Sequence, residues 1–164
     1  MLFRSIVSLD AGVIYKEYQS DAARTHGVGK ISEEDQKLID VTKESFFRGI
    51  QFARAGRHLY EISSAIQKYV ESNGFSIVRE LVGHGIGREM HEDPQIPNFK
   101  PIGRGIKLCP GMTLAIEPMV NAGKRDIWIL EDDWTVVTRD GSKAAHYENT
   151  ILITDGDPEI LSLA

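Results

Sequence analysis

The sequence predicts a single α+β domain, and three observations carry that expectation. Strand-type runs rich in Val, Ile and Leu occupy the start of the chain and much of residues 112–153. Between them, residues 33–72 place apolar side chains three and four apart, the period of an amphipathic helix. No repeat, low-complexity tract or linker divides the 164 residues, a length that suits one domain.

Residues 5–15 (SIVSLDAGVIY) read as a buried strand and residues 18–24 as its partner. Lys16-Glu17 would be the two-residue hairpin link, although neither is a favoured turn former. Ser32-Glu33-Glu34-Asp35 has capping-box spacing, with acids near the positive end of a helix, so a helix starts there. Ile39, Phe46, Ile50 and Ala53 form its apolar face, and Gly56 is placed to end it. A second helix carries Leu59, Ile62, Ile66 and Tyr69 until Asn73-Gly74 stops it, and both helices should pack on one face of a sheet. Beyond Gly74, glycines and prolines mark bends between strand ends and ordered loops. Further strands are expected at 112–120, 127–130, 134–138 and 144–153, with Asp140-Gly141 as a hairpin turn.

Charge and composition narrow the function classes. Lysines and arginines number 19 against 24 acids, a net charge of −5, so nothing electrostatic points to nucleic acid or an anionic membrane. No apolar run approaches the ~20 residues of a membrane helix. Met1-Leu2-Phe3-Arg4 leads straight into the first strand, so the expectation is a cytoplasmic protein. The only cysteine, Cys109, has no partner for an internal disulfide and reads as a small apolar residue before Pro110.

Four acids interrupt runs that otherwise read as buried: Asp10, Asp21, Glu117 and Glu148. Any one of them alone is accounted for by a salt bridge or an edge position. Together they would repel one another and require protonation, arginines or metal ions, and Arg24 is the only basic residue within these strands. His84, framed as Gly83-His84-Gly85-Ile86-Gly87, supplies a nitrogen donor where the backbone can approach closely. Four carboxylates and one imidazole are too many for one catalytic zinc. They fit two divalent ions about 3.5–4 Å apart, and the implied chemistry is metal-assisted hydrolysis. Such a site accepts Co, Mn, Fe or Zn.

The blocks VSLDAG, SDAARTH, GHGIGREMHEDP, GMTLAIEPMV and HYENTILIT, in this order and spacing, resemble the type I methionine aminopeptidases over essentially the whole chain. The resemblance implies the pita-bread fold and a dinuclear metal centre. Carried over by residue, it makes Asp10 a ligand of one metal, His84 and Glu117 ligands of the other, and Asp21 and Glu148 the bridging carboxylates. Glu117 would also shuttle the proton of the attacking water, and His91 would hydrogen-bond the substrate amide. Met90 and Trp134 match positions lining the methionine pocket, whereas His26, His58 and His146 match no ligand position and are expected to be structural or solvent-facing. The implied substrates are the N-terminal methionines of peptides and nascent proteins.

Xaa-Pro aminopeptidases and prolidases share the five-ligand set. Pro118-Met119-Val120 after Glu117, and the triplet Tyr147-Glu148-Asn149, favour the methionine enzymes over them. The family's N-terminal part, with a strand pair, another active-site histidine and part of the pocket, has no counterpart in this sequence. The pita-bread domain is therefore expected to be incomplete, with one wall of the substrate site open and exposed edges that invite self-association. That expectation keeps a second reading in play, an inactive metal-binding remnant of the enzyme.

Overall fold

The computed structural model describes residues 5–163, so the lead Met1-Leu2-Phe3-Arg4 lies outside the described residues. The first two strands, β1 (Ser5–Tyr15) and β2 (Tyr18–Val28), form a long antiparallel hairpin. Its link is the expected one. Lys16 and Glu17 have φ of 47° and 71°, the left-handed pair that matches the twist of the flanking strands. Their unfavourable residue types are outweighed by the eleven paired positions that follow.

The expectation of a buried first strand is corrected. Of β1 only Ile6 is even half-buried, and Leu9 and Ile14 are 61% and 70% exposed. The hairpin meets the rest of the fold mainly through β2, which packs on α1, β10 and β11, while β1 also touches β10, so β1 is the outer strand of the pair.

The first helix, α1 (Glu33–Ile50), begins at the predicted capping box: Ser32 Oγ accepts from the Asp35 N–H, and the Asp35 carboxylate accepts from the Ser32 N–H. Its buried face is phased on Leu38, Val41, Ser45, Phe46 and Gly49, and Ile39 is only half-buried. It ends at Ile50, earlier than expected. Gly56, with φ 84°, lies in the joint leading to α2 (Leu59–Ser72). That second helix stops at Asn73-Gly74 as predicted. The helices approach closely at Gly49, where a Cβ would sit 2.7 Å from Ile66 Cγ1.

The remaining strands are short: β3 (Ser76–Ile77), β4 (Gly83–Gly85), β5 (Glu92–Ile96), β6 (Thr113–Ile116), β7 (Met119–Asn121), β8 (Ile127–Ile129), β9 (Val136–Thr138), β10 (Ala144–His146), β11 (Asn149–Leu152) and β12 (Glu159–Ile160). They build a five-stranded sheet ordered β12-β11-β6-β4-β5, a three-stranded sheet ordered β10-β7-β3, and a separate β8-β9 hairpin. Both helices lie against the three-stranded sheet, α1 on β7 and β10 and α2 on β3, around a core that includes Phe46, Ile62, Ile66, Ile116, Val120 and Ile151.

Two expected continuous strands are each divided. The run 112–120 breaks at Glu117-Pro118 between β6 and β7, and the run 144–153 breaks at Tyr147-Glu148 between β10 and β11. At both breaks the chain passes from one sheet to the other, because β6 pairs with β11 and β7 with β10. The carboxylates of Glu117 and Glu148 thus stand at paired crossovers, where their side chains are free of a regular sheet face. Asp140-Gly141 turns the chain but closes no hairpin, since β9 pairs with β8 and β10 with β7. The Asp140 carboxylate instead accepts from the backbone N–H groups of Lys124 and Ser142.

Candidate metal centre

The hairpin β1–β2 sets two carboxylates side by side. Asp10 faces Ala23 and Asp21 faces Gly12 across the ladder, so the acids are diagonal neighbours on one face. Asp21 is held toward β11: its N–H donates to Thr150 Oγ1 at 2.9 Å, and that hydroxyl donates back to the Asp21 carbonyl at 3.0 Å. Nearby, the Glu148 N–H donates to the Ala23 carbonyl at 2.9 Å, which fixes the crossover residue against the same strand.

His84 is delivered by β4, which runs between β5 and β6 with no room for side chains beside it. A Cβ at Gly83 would meet the Ala115 carbonyl oxygen and lie 3.4 Å from Glu117 Cγ, and one at Gly85 would strike the Asp93 carbonyl. The glycine frame is therefore a requirement of close backbone approach. His84 Nδ1 lies 2.8 Å from the Gly85 carbonyl, which assigns the ring proton to Nδ1 and leaves a lone pair on Nε2. That Nε2 points at Glu117 Oε1, 3.7 Å away.

The four acids and the histidine singled out in the sequence come together around one cleft. Donor atoms of Asp21, His84 and Glu148 lie within 4.8 Å of one another, as do those of Glu117, His146 and Glu148. A cleft of about 910 Å³ is bordered by Asp10, His84, His91, Glu117, Trp134 and His146. Burial differs from the sequence expectation. Glu148 is 1% exposed, Glu117 and Asp21 are half-buried, and Asp10 is exposed because the outer strand carries it.

The electrostatics follow from this crowding. Burial, then the negative charges of Glu117, Asp21 and Asp10, push the Glu148 carboxyl up to about 9, and the Arg24 guanidinium offsets only part of it. The Asp10 carboxyl is also raised, by burial first and then by repulsion from Asp21, with His146 pulling it back. A divalent cation relieves each of these repulsions. The residues fit one: Glu148 Oε1 and His146 Nε2 are buried without a hydrogen-bond partner among the described residues, and oxygen and imidazole donors converge on the same space.

Residues 3–155 match metallopeptidase family M24. The chain belongs to that family. Over 158 residues it is 60% identical to the methionine aminopeptidase of Clostridium perfringens, a match covering 96% of this chain and 64% of that relative. The crystal structure of the methionine aminopeptidase of Thermotoga maritima superposes with a TM-score of 0.94 at 49% identity, covering 97% of this chain and 64% of the other. The prolidase of Pyrococcus furiosus superposes at 0.76 with 25% identity, covering 97% of this chain and 41% of the other. The fold is thus the α+β pita-bread fold of M24, and the family implies the use of divalent metal. The chain spans less than two thirds of the length of the curated relatives it matches.

Within this M24 chain, the remaining predicted residues are spread around the cleft. His91 sits edge-on to His84, ring centroids 4.4 Å apart, and borders the cleft. Trp134 stands on the cleft rim, 87% exposed. Met90 lies apart from the cleft lining, its terminal methyl against Gly12 of β1. Among the histidines expected to be structural or solvent-facing, His26 is exposed and His58 Nδ1 contacts the Gly105 carbonyl at 3.2 Å, but His146 points into the centre.

Sequence reasoning also undervalued Arg24. Its guanidinium donates to the carbonyls of Ala23 and Glu148 and, at 2.6 Å, to Asn149 Oδ1, while stacking 4.3 Å from the Tyr147 ring centroid. It clamps the Glu148 crossover to β2. The available signal was its position in SDAARTH, three residues after Asp21. Among the described residues no helix is long and apolar enough to cross a membrane.

Proposed function

We propose that this chain is the metal-binding part of an aminopeptidase that removes the N-terminal methionine from peptides and nascent proteins. The observation that carries the reading is the convergence of Asp21, His84, Glu117 and Glu148, with Asp10 beside them, on one cleft at the crossovers between two sheets. The relatives of highest identity reported above bear the name methionine aminopeptidase, which supports N-terminal methionine over Xaa-Pro peptides as the substrate class.

In this reading Asp10, Asp21, His84, Glu117 and Glu148 would hold two divalent ions (Co, Mn, Fe or Zn), with Asp21 and Glu148 the carboxylates placed to serve both. When bound, the ions supply Lewis-acid polarisation of the scissile carbonyl and activation of water. Glu117, half-buried at the cleft wall, takes the proton of the attacking water on a carboxylate oxygen and returns it to the leaving amine. His91, beside His84 at the mouth, donates a hydrogen bond to the substrate carbonyl oxygen as negative charge develops there. Trp134 gives the methionine side chain an aromatic surface, and Met90, across Gly12, supports the strand that carries Asp10.

A peptide panel tests the proposal. With Co(II) or Mn(II), the chain should release methionine from Met-Ala-Ser and leave Ala-Pro bonds intact; the opposite preference overturns the substrate assignment. Asp21→Ala and Glu148→Ala should each abolish binding of both ions in a calorimetric titration. A chain that binds about two ions and releases no methionine supports the remnant reading instead.

A further inference from the structure

His146 closes β10, and its backbone is pinned from two sides. It pairs with Met119 of β7, its N–H donates to Thr25 Oγ1 at 2.8 Å, and the Thr25 hydroxyl lies 2.8 Å from its carbonyl oxygen. Thr25 is tied in turn to Ser8 of β1, hydroxyl to hydroxyl at 2.8 Å. The flanking strands therefore set where the imidazole goes, and they aim it at the acids. Nε2 lies 3.6 Å from Glu117 Oε2 and 3.9 Å from Glu148 Oε2.

These separations are too long for hydrogen bonds, and the buried Nε2 has no other partner among the described residues, so His146 is not a satisfied core histidine. They are the right size for a different arrangement. Two donors that share one ion through bonds of about 2.0–2.2 Å stand no more than ~4.4 Å apart. Both separations fall inside that limit.

We propose that His146 is a sixth protein donor of the centre, binding a divalent transition-metal ion through Nε2 together with Glu117 and Glu148. This rests on the metal-centre reading and adds a second imidazole to it. The layout then has a simple logic. One oxygen of Glu117 faces His84 Nε2 and the other faces His146 Nε2, while Glu148 belongs to both donor groups. Each imidazole would then have its own donor group, with the Glu148 carboxylate common to both. Two nitrogen donors bias the site toward Co(II), Fe(II) and Zn(II) over harder cations.

The test uses the full chain and two independent measurements. In calorimetric titrations, His146→Gln should weaken Co(II) binding at least about tenfold, and Mn(II) binding by less, because nitrogen donation matters more to cobalt. Equal losses for both ions, or affinities within twofold of wild type, overturn the assignment. The second measurement needs no variant: X-ray absorption at the cobalt edge of the loaded wild-type chain should show two imidazoles per chain. A loaded chain with one imidazole overturns the role of His146 and leaves the metal centre intact. A wild-type chain that takes up no Co(II) or Mn(II) overturns both.

Discussion

Proton release on metal binding is where the electrostatics of the centre become measurable. Glu148 is pushed up to about 9 in the metal-free chain, so at pH 7.5 its carboxyl is largely protonated. A cation that uses this oxygen must displace the proton. Binding of the first ion should therefore release about one proton at pH 7.5, and fewer as pH rises past about 9. The same linkage makes the apparent Kd fall close to tenfold between pH 7 and pH 8, or about 1.4 kcal/mol. The assay is titration calorimetry in buffers of different ionisation enthalpy, whose slope is the number of protons released. A slope of zero at pH 7.5, with Kd constant from pH 7 to pH 8, would refute the reasoning. The sign for stability is opposite. A carboxyl raised in the folded state binds more protons folded than unfolded, so the metal-free chain loses stability as pH rises from the ordinary carboxyl value of 4.5 toward about 9. Its melting temperature should fall between pH 5 and pH 8, and saturating metal should reverse the trend.

Three further outcomes are expected. Gly49→Ala places a Cβ 2.7 Å from Ile66 Cγ1 and 2.9 Å from Cδ1 between the helices, so urea unfolding should show a loss of about 1–3 kcal/mol. An unchanged midpoint would mean that the helices separate freely. Arg24→Ala removes the donors to Ala23, Glu148 and Asn149 and the stack on Tyr147; it should cost about 2–3 kcal/mol and weaken metal binding by freeing the Glu148 crossover, which unfolding and titration read separately. The Asp35 carboxyl is held below the usual carboxylate range by the hydrogen bond from Lys143 and then by Ser32. Asp35→Asn should therefore cost about 1 kcal/mol at pH 7, with the difference from wild type disappearing as pH falls through the depressed value, and a constant difference at pH 2 would exclude the charge as the cause.

The local elements were legible wherever short-range chemistry decides them. The capping box at Ser32 and Asp35, the stop at Asn73-Gly74, and the glycines on either side of His84 depend on neighbouring atoms and backbone conformation, which a sequence displays directly. Acids in apolar runs were equally legible, because an uncompensated charge in such a setting demands a partner. The burial of those acids was not. Asp10 proved exposed and Glu148 almost fully buried, although both interrupt similar runs, since burial depends on which strand lies outermost in the assembled sheets.

Taken alone, the amino-acid sequence determined the first hairpin, the two helices, the acids and histidine at Asp10, Asp21, His84, Glu117 and Glu148 as candidate donors, and the family. Tertiary structure alone decided that two apparent strands break at Glu117 and Glu148, and that His146 turns inward to face both. The physical reason is distance along the chain. His146 owes its position to Thr25 and Met119, residues far from it in sequence, and a contact of that kind has no local signature until the sheets have paired.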